Sequence, residues 1–139
     1  MLSAQVLFVL QKELFRRLGT EGHPGLRPRH GAVLAYLQPE GCRATELAAA
    51  SGQHKQVIGT LVDELEAEGY VERRPDPQDR RAKLVVPTPR GADFQARSEA
   101  ILAAIELDHA NAVGADAYAG FKAVLRRVAE RQRELFTPE

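Results

Sequence analysis

Residues 44–91 read ATELAAASGQHKQVIGTLVDELEAEGYVERRPDPQDRRAKLVVPTPRG, and the punctuation of this stretch decides the fold. Thr45 to Ala50 form a short helical run with Leu47 and Ala48 inward, closed by a Ser51-Gly52 turn. From Gln53 to Glu68, the residues Val57, Ile58, Leu61, Val62 and Leu65 recur with the period of a helix buried along one stripe. Gln53, Gln56, Gly59, Thr60 and Asp63 fall on the opposite side. Gly69 is placed to stop this helix as its C′ residue. Tyr70–Arg74 and Lys83–Val86 are β-prone runs joined by a polar loop, Pro75–Arg81, which together predict a hairpin. That loop is longer and more basic than a tight turn requires.

Helix, turn, helix and hairpin in this order predict a winged helix-turn-helix, whose second helix enters a major groove. The hairpin loop then reaches the neighbouring backbone or minor groove, where narrow sections attract an inserted arginine. The remaining chain is helical. Leu2 to Leu18 is apolar on several sides, and Val6, Leu10 and Leu14 lie on one of them, so more than one neighbour must cover it. Arg29 to Leu37 carries Val33, Leu34 and Leu37 at helical spacing. Thr88-Pro89 has the form of an N-cap with proline at the first helical position. That helix is expected to reach Val113 and to break at Gly114. In the last helix Tyr118, Phe121, Leu125, Val128, Gln132 and Leu135 follow a heptad seam interrupted by one glutamine. The fold class expected is mainly α with a small β-hairpin wing, an α+β winged helix-turn-helix flanked by dimerisation helices.

Composition bounds the function. The chain has 139 residues, 44% hydrophobic and 27% charged, which suits a single folded domain over 1–139 rather than disorder. Nineteen basic residues balance nineteen acidic ones, so no global field draws the chain to nucleic acid. The positive charge is local instead: between Tyr70 and Gly91 there are six basic residues and three acidic ones. One cysteine, Cys42, rules out an internal disulfide and a multi-cysteine zinc site. The histidines His23, His30, His54 and His109 show no metal-ligand spacing, so no metal is expected. The apolar run Val6–Leu10 is far shorter than the ~20 residues of a membrane span, and a signal-peptide pattern is missing. A cytoplasmic location is the expectation. No nucleophile motif, phosphate-cradling loop or cofactor fingerprint stands out, so neither an enzyme nor a cofactor is expected.

The quoted stretch resembles the DNA-binding core of the MarR family of bacterial transcriptional regulators. The resemblance rests on Glu46-Leu47-Ala48, Leu65-Glu66-Ala67-Glu68-Gly69, Asp76-Pro77-Gln78-Asp79-Arg80-Arg81 and Thr88-Pro89-Arg90-Gly91. It implies a winged helix-turn-helix over 29–91 and dimerisation helices over 1–20 and 92–139. It also implies that Asp79 buttresses Arg81, which enters a minor groove, while Arg73, Arg74 and Arg80 contact phosphates or support the wing. The recognition helix departs from the family habit of serine, threonine and arginine. Its slots hold Gln56, Val57, Gly59, Thr60 and Glu64, with Lys55 at the edge for a phosphate and Gln53 and Gln56 suited to adenine edges.

The implied function is a homodimeric, sequence-specific regulator of double-stranded DNA, a signal-responsive repressor on a pseudo-palindromic operator. Its dimer interface would draw on Val6, Leu10, Leu14, Tyr118, Phe121, Leu125, Val128 and Leu135. The family often binds small aromatic or anionic effectors, and His23, Arg27, His30 and Tyr36 are candidates to line such a cleft. The alternative is a winged-helix module for protein interaction without specific DNA binding. Cys42 lies in the loop before the helix-turn-helix with no second thiol to resolve it, so an inert role is expected.

Overall fold

The computed structural model describes residues 1–136. The last three residues of the expected dimerisation segment 92–139 therefore lie outside the described residues. The chain runs through α1 (Leu2–Thr20), a 3-10 turn (Pro28–His30) continuing into α2 (Gly31–Leu34), α3 (Ala44–Ser51), α4 (Lys55–Ala67), β1 (Val71–Asp76), β2 (Asp79–Pro87), α5 (Pro89–Val113) and α6 (Ala115–Phe136). It divides into two compact units, Met1–Ala100 and Ile101–Glu139.

The first unit holds the helix pair and the hairpin. On α4 the side chains of Ile58, Leu61, Val62 and Leu65 are buried, as their period requires. Each such burial is worth roughly 1.5–3 kcal/mol. Val57, the fifth member of the expected stripe, is 41% exposed instead. It lies at the rim of the stripe, about 100° around the helix axis from Ile58. The helix closes on Gly69 at φ +81. There Gly69 N–H donates to the Glu66 carbonyl and Tyr70 N–H donates to the Leu65 carbonyl, a Schellman pair. The segment expected as one helix over Arg29–Leu37 is shorter. Its helical part ends at Leu34, although Leu37 remains in the core.

The hairpin corrects the expected long loop. Val71 to Pro75 pair in register with Pro87 to Lys83, then Asp76 pairs with Asp79 across a two-residue tip, Pro77-Gln78. This step leaves Arg80, Arg81 and Ala82 opposite no residue of β1, so the surplus length is a bulge in β2 rather than an open loop. Cys42 forms an isolated bridge to Val85, with Cys42 N–H to Val85 O at 3.0 Å and Val85 N–H to Cys42 O at 2.8 Å. Cys42 is thus buried against the base of the wing.

The Thr-x-x-Gly start of α5 has a packing reason. Thr88 Oγ1 donates to the Gly69 carbonyl at 2.6 Å and accepts from Gly91 N–H at 3.2 Å. A Cβ on Gly91 would lie 2.2 Å from the Tyr70 carbonyl oxygen, so only glycine lets α5 approach β1 this closely.

In the second unit, Gly114 at φ +101 separates the end of α5 from α6. His109 and Tyr118 stack across the break at 6.4 Å, and Lys122 Nζ donates to Glu106 at 3.0 Å. No residue of α6 is buried. No helix among the described residues is long and apolar enough to cross a membrane.

Candidate nucleic-acid interface

The outward face of α4 begins later than its sequence suggests. Gln53 precedes the helix: its N–H donates to Ser51 Oγ at 3.3 Å, which ties it to the end of α3. Lys55, Gln56 and Thr60 are exposed on the helix itself, with Val57 beside them. Thr60 Oγ1 donates back to the Gln56 carbonyl at 3.2 Å, so its proton is spent inside the helix. An ideal Cβ on Gly59 would meet nothing within 4 Å.

Acidic residues late in α4 would repel phosphates, but they are engaged. Arg73 binds Asp63 at 2.7 Å and Glu66 at 3.0 Å. Glu64 Oε2 accepts from His30 Nε2 at 2.8 Å and from Arg29 at 3.2 Å. These bonds, the histidine first, hold the Glu64 carboxyl below its ordinary range. Glu64 therefore does not occupy an open slot of the reading face. Arg73 is a support between β1 and α4, not a free phosphate contact. Arg74 is paired with Glu72, and Arg90 donates to the Glu68 carbonyl at 2.5 Å with its guanidinium 4.4 Å over the Tyr70 ring.

Three basic residues of the hairpin remain outward: Arg80, Arg81 and Lys83 are exposed, with no ion pair or side-chain hydrogen bond among the described residues. Two of them ride on the bulge. The tip below them is rigidly built. Asp76, only 6% exposed, accepts from Gln78 N–H at 2.9 Å and from Arg43 Nε at 2.8 Å. Those bonds, the backbone one first, hold its carboxyl below the ordinary carboxylate range. Arg43 is the N-cap residue of α3, so the pair ties the wing tip to the helix-turn-helix. Asp79 Oδ1 accepts the backbone N–H of Arg81 at 3.0 Å. The contact implied between these two residues is made through the main chain, and it leaves the guanidinium projecting. Asp76 and Arg43 were not legible as site residues. The signal for Asp76 was there, since an aspartate at the start of a turn favours a side-chain bond to the N–H two residues on.

A family model described as MarR family matches residues 25–82. Over those residues the chain matches the MarR family. It is 38% identical over 85 residues to the HTH-type transcriptional regulator YcgE of Bacillus subtilis, a match covering 54% of this chain and 55% of that one. The match thus spans about half the length of that curated relative. Among solved structures, CouR from Rhodococcus jostii bound to p-coumaroyl-CoA is 27% identical with a TM-score of 0.74, covering 99% of this chain and 91% of that one. The transcriptional repressor CouR bound to a 23-mer DNA duplex is 26% identical with a TM-score of 0.66, covering 89% of each. A further MarR family transcription regulator, 23% identical with a TM-score of 0.77 over 95% of this chain and 86% of that one, shares the fold.

Of the four residues expected to line an effector cleft, two have their side chains bonded within the protein. His23 is buried, with Nδ1 2.8 Å from the Tyr70 hydroxyl and Nε2 2.8 Å from Asp93 Oδ2. His30 is buried too. Its Nδ1 accepts Arg27 N–H at 2.9 Å, which assigns the ring proton to Nε2, facing Glu64. Both histidines therefore have every ring nitrogen committed to the protein, because they join loops to β1, α4 and α5. Arg27 and Tyr36 are exposed. Among the expected dimer residues, Val6, Phe121, Leu125, Val128 and Leu135 are about half exposed or more, while Leu10, Leu14 and Tyr118 are half-buried.

Proposed function

We propose that this chain is a homodimeric transcriptional regulator that binds double-stranded DNA. In that reading α4 enters the major groove and the bulge arginines Arg80 and Arg81 reach the adjacent minor groove or backbone. The observation that carries it is the contrast within one hairpin. Arg73, Arg74 and Arg90 are satisfied internally, whereas Arg80 and Arg81 are lifted out by a bulge and left without a protein partner among the described residues.

We further read it as a repressor that releases a pseudo-palindromic operator when a small ligand or another signal shifts the spacing of its two recognition helices. CouR with bound p-coumaroyl-CoA supports a small anionic effector class for this chain. The test is titration of the promoter fragment next to its own gene by fluorescence anisotropy. Binding is expected to be saturable and to weaken steeply with salt. Arg81→Ala should lower affinity by about tenfold or more and reduce the salt slope by about one, with the dimer intact. No binding to any duplex at low salt would overturn the proposal.

A further inference from the structure

The recognition helix exposes a valine. Val57 is 41% exposed on the first turn of α4, where Ile58, Leu61, Val62 and Leu65 are all nearly inaccessible. A β-branched residue costs helix propensity at such a site, and only part of its side chain is covered within the chain. Its neighbours sharpen the chemistry. Thr60 lies three residues on, its hydroxyl proton spent on the Gln56 carbonyl, so it adds a methyl and oxygen lone pairs. The Gln56 amide has no side-chain bond among the described residues, and Gly59 leaves the backbone open. Lys55 is the one cation in α4, and it sits at the first position. No arginine stands on this face, so Lys55, at its edge, is the one side chain there able to read guanine.

Resting on the DNA-binding reading above, we propose that α4 reads A·T pairs in the major groove: the Val57 methyls seat against a thymine C5-methyl, and the Gln56 amide pairs with N6 and N7 of a neighbouring adenine. Val57 is then the specificity-determining residue that excludes cytosine, which lacks that methyl. The wing agrees, because A·T tracts narrow the minor groove and concentrate the potential that draws Arg80 and Arg81.

The experiment starts by selecting bound duplexes of roughly 25 base pairs from a random library with the full chain. The selected duplex is then remade with deoxyuridine for single thymines, which removes only the methyl. A second series carries inosine·cytosine for single A·T pairs, which keeps the minor-groove face and rewrites the major-groove face. One thymine per half-site should cost the wild type about fourfold when demethylated, the factor equivalent to one buried methyl. Val57→Ala should lose the same factor on unmodified DNA and become indifferent to deoxyuridine, with unchanged circular dichroism. Inosine·cytosine at the adjacent pair should cost about tenfold or more. Equal deoxyuridine penalties for wild type and Val57→Ala, or G·C pairs selected under α4, would overturn the proposal while leaving DNA binding in place. No enrichment of any duplex would overturn the DNA-binding reading itself.

Discussion

Gly59 sits in the middle of α4 with nothing in the fold to require it. Its φ is not positive, and a Cβ there would meet no atom within 4 Å. Glycine in a helix interior costs about 0.5–1 kcal/mol relative to alanine. Gly91 makes the contrast, since there a methyl would collide with the Tyr70 carbonyl. Gly59→Ala should therefore stabilise the free protein, raising its melting temperature by about 3 °C, and weaken operator binding because the added methyl stands between helix backbone and groove. Calorimetry and anisotropy on one preparation test both halves. A variant that melts higher and binds equally well would show that the backbone makes no close approach to DNA. The same comparison explains what the sequence reveals at this scale. A glycine and a valine on a predicted recognition helix are visible as residues. Whether each is needed for packing is not, because the answer depends on atoms from other elements. The two histidines teach the same point. His23 meets Tyr70 and Asp93, partners 47 and 70 positions away, so local reading left it among surface groups available to a ligand.

At the scale of elements, the helices and the existence of the hairpin were legible because apolar periodicity, the Gly69 and Gly114 stops and the Thr88 cap are local signals. The shape of the wing was not. Its register slips at Asp76, whose two oxygens are held by Gln78 within the turn and by Arg43, 33 positions earlier. A long-range ion pair thus anchors the residue at which the register shifts and the surplus residues bulge. Asp76→Asn keeps the size and removes the charge, so it should free the wing from α3. Operator affinity is expected to fall by about tenfold, the scale of coupling within such a pair, and the amides of Gln78 to Ala82 should exchange faster. The pH dependence has a definite sign. The Asp76 carboxyl is held low in the folded state, so its contribution is complete above the ordinary carboxylate range. It is lost as pH falls through the depressed value. Wing order in the wild type, followed by amide exchange or nuclear magnetic resonance, should therefore persist at neutral pH and fail in acid. Asp76→Asn should lose that acid step, and a wild-type wing that stays ordered in strong acid would contradict this account.

For the whole molecule, the zero net charge no longer argues against nucleic acid. The acidic residues of α4 are spent on Arg73, Arg29 and His30, while Arg80, Arg81 and Lys83 outnumber Asp79 on the outward wing. What the single chain does not account for is its apolar surface. Leu2, Val6, Leu7, Phe8 and Val9 are exposed along the start of α1, as are Phe121, Val124, Leu125, Val128, Leu135 and Phe136 along α6. Contiguous patches of this kind mark interfaces. A helix that buries none of its residues gains little from packing and is marginal on its own. A second copy meeting these surfaces would supply the burial and also link two recognition helices. Leu125→Asp places a charge at the centre of the α6 seam. Light scattering should then report a mass near 15.3 kDa, where a dimeric wild type is expected to give twice that value. Operator affinity should fall by roughly 10²–10⁴, because two half-sites are no longer engaged by one linked assembly. The milder Leu125→Ala should keep the helicity while raising the protein concentration at which dimers form. If both variants keep a doubled mass at micromolar concentration, the α6 seam is not where the copies meet; a wild type that itself scatters as 15.3 kDa would overturn the dimer.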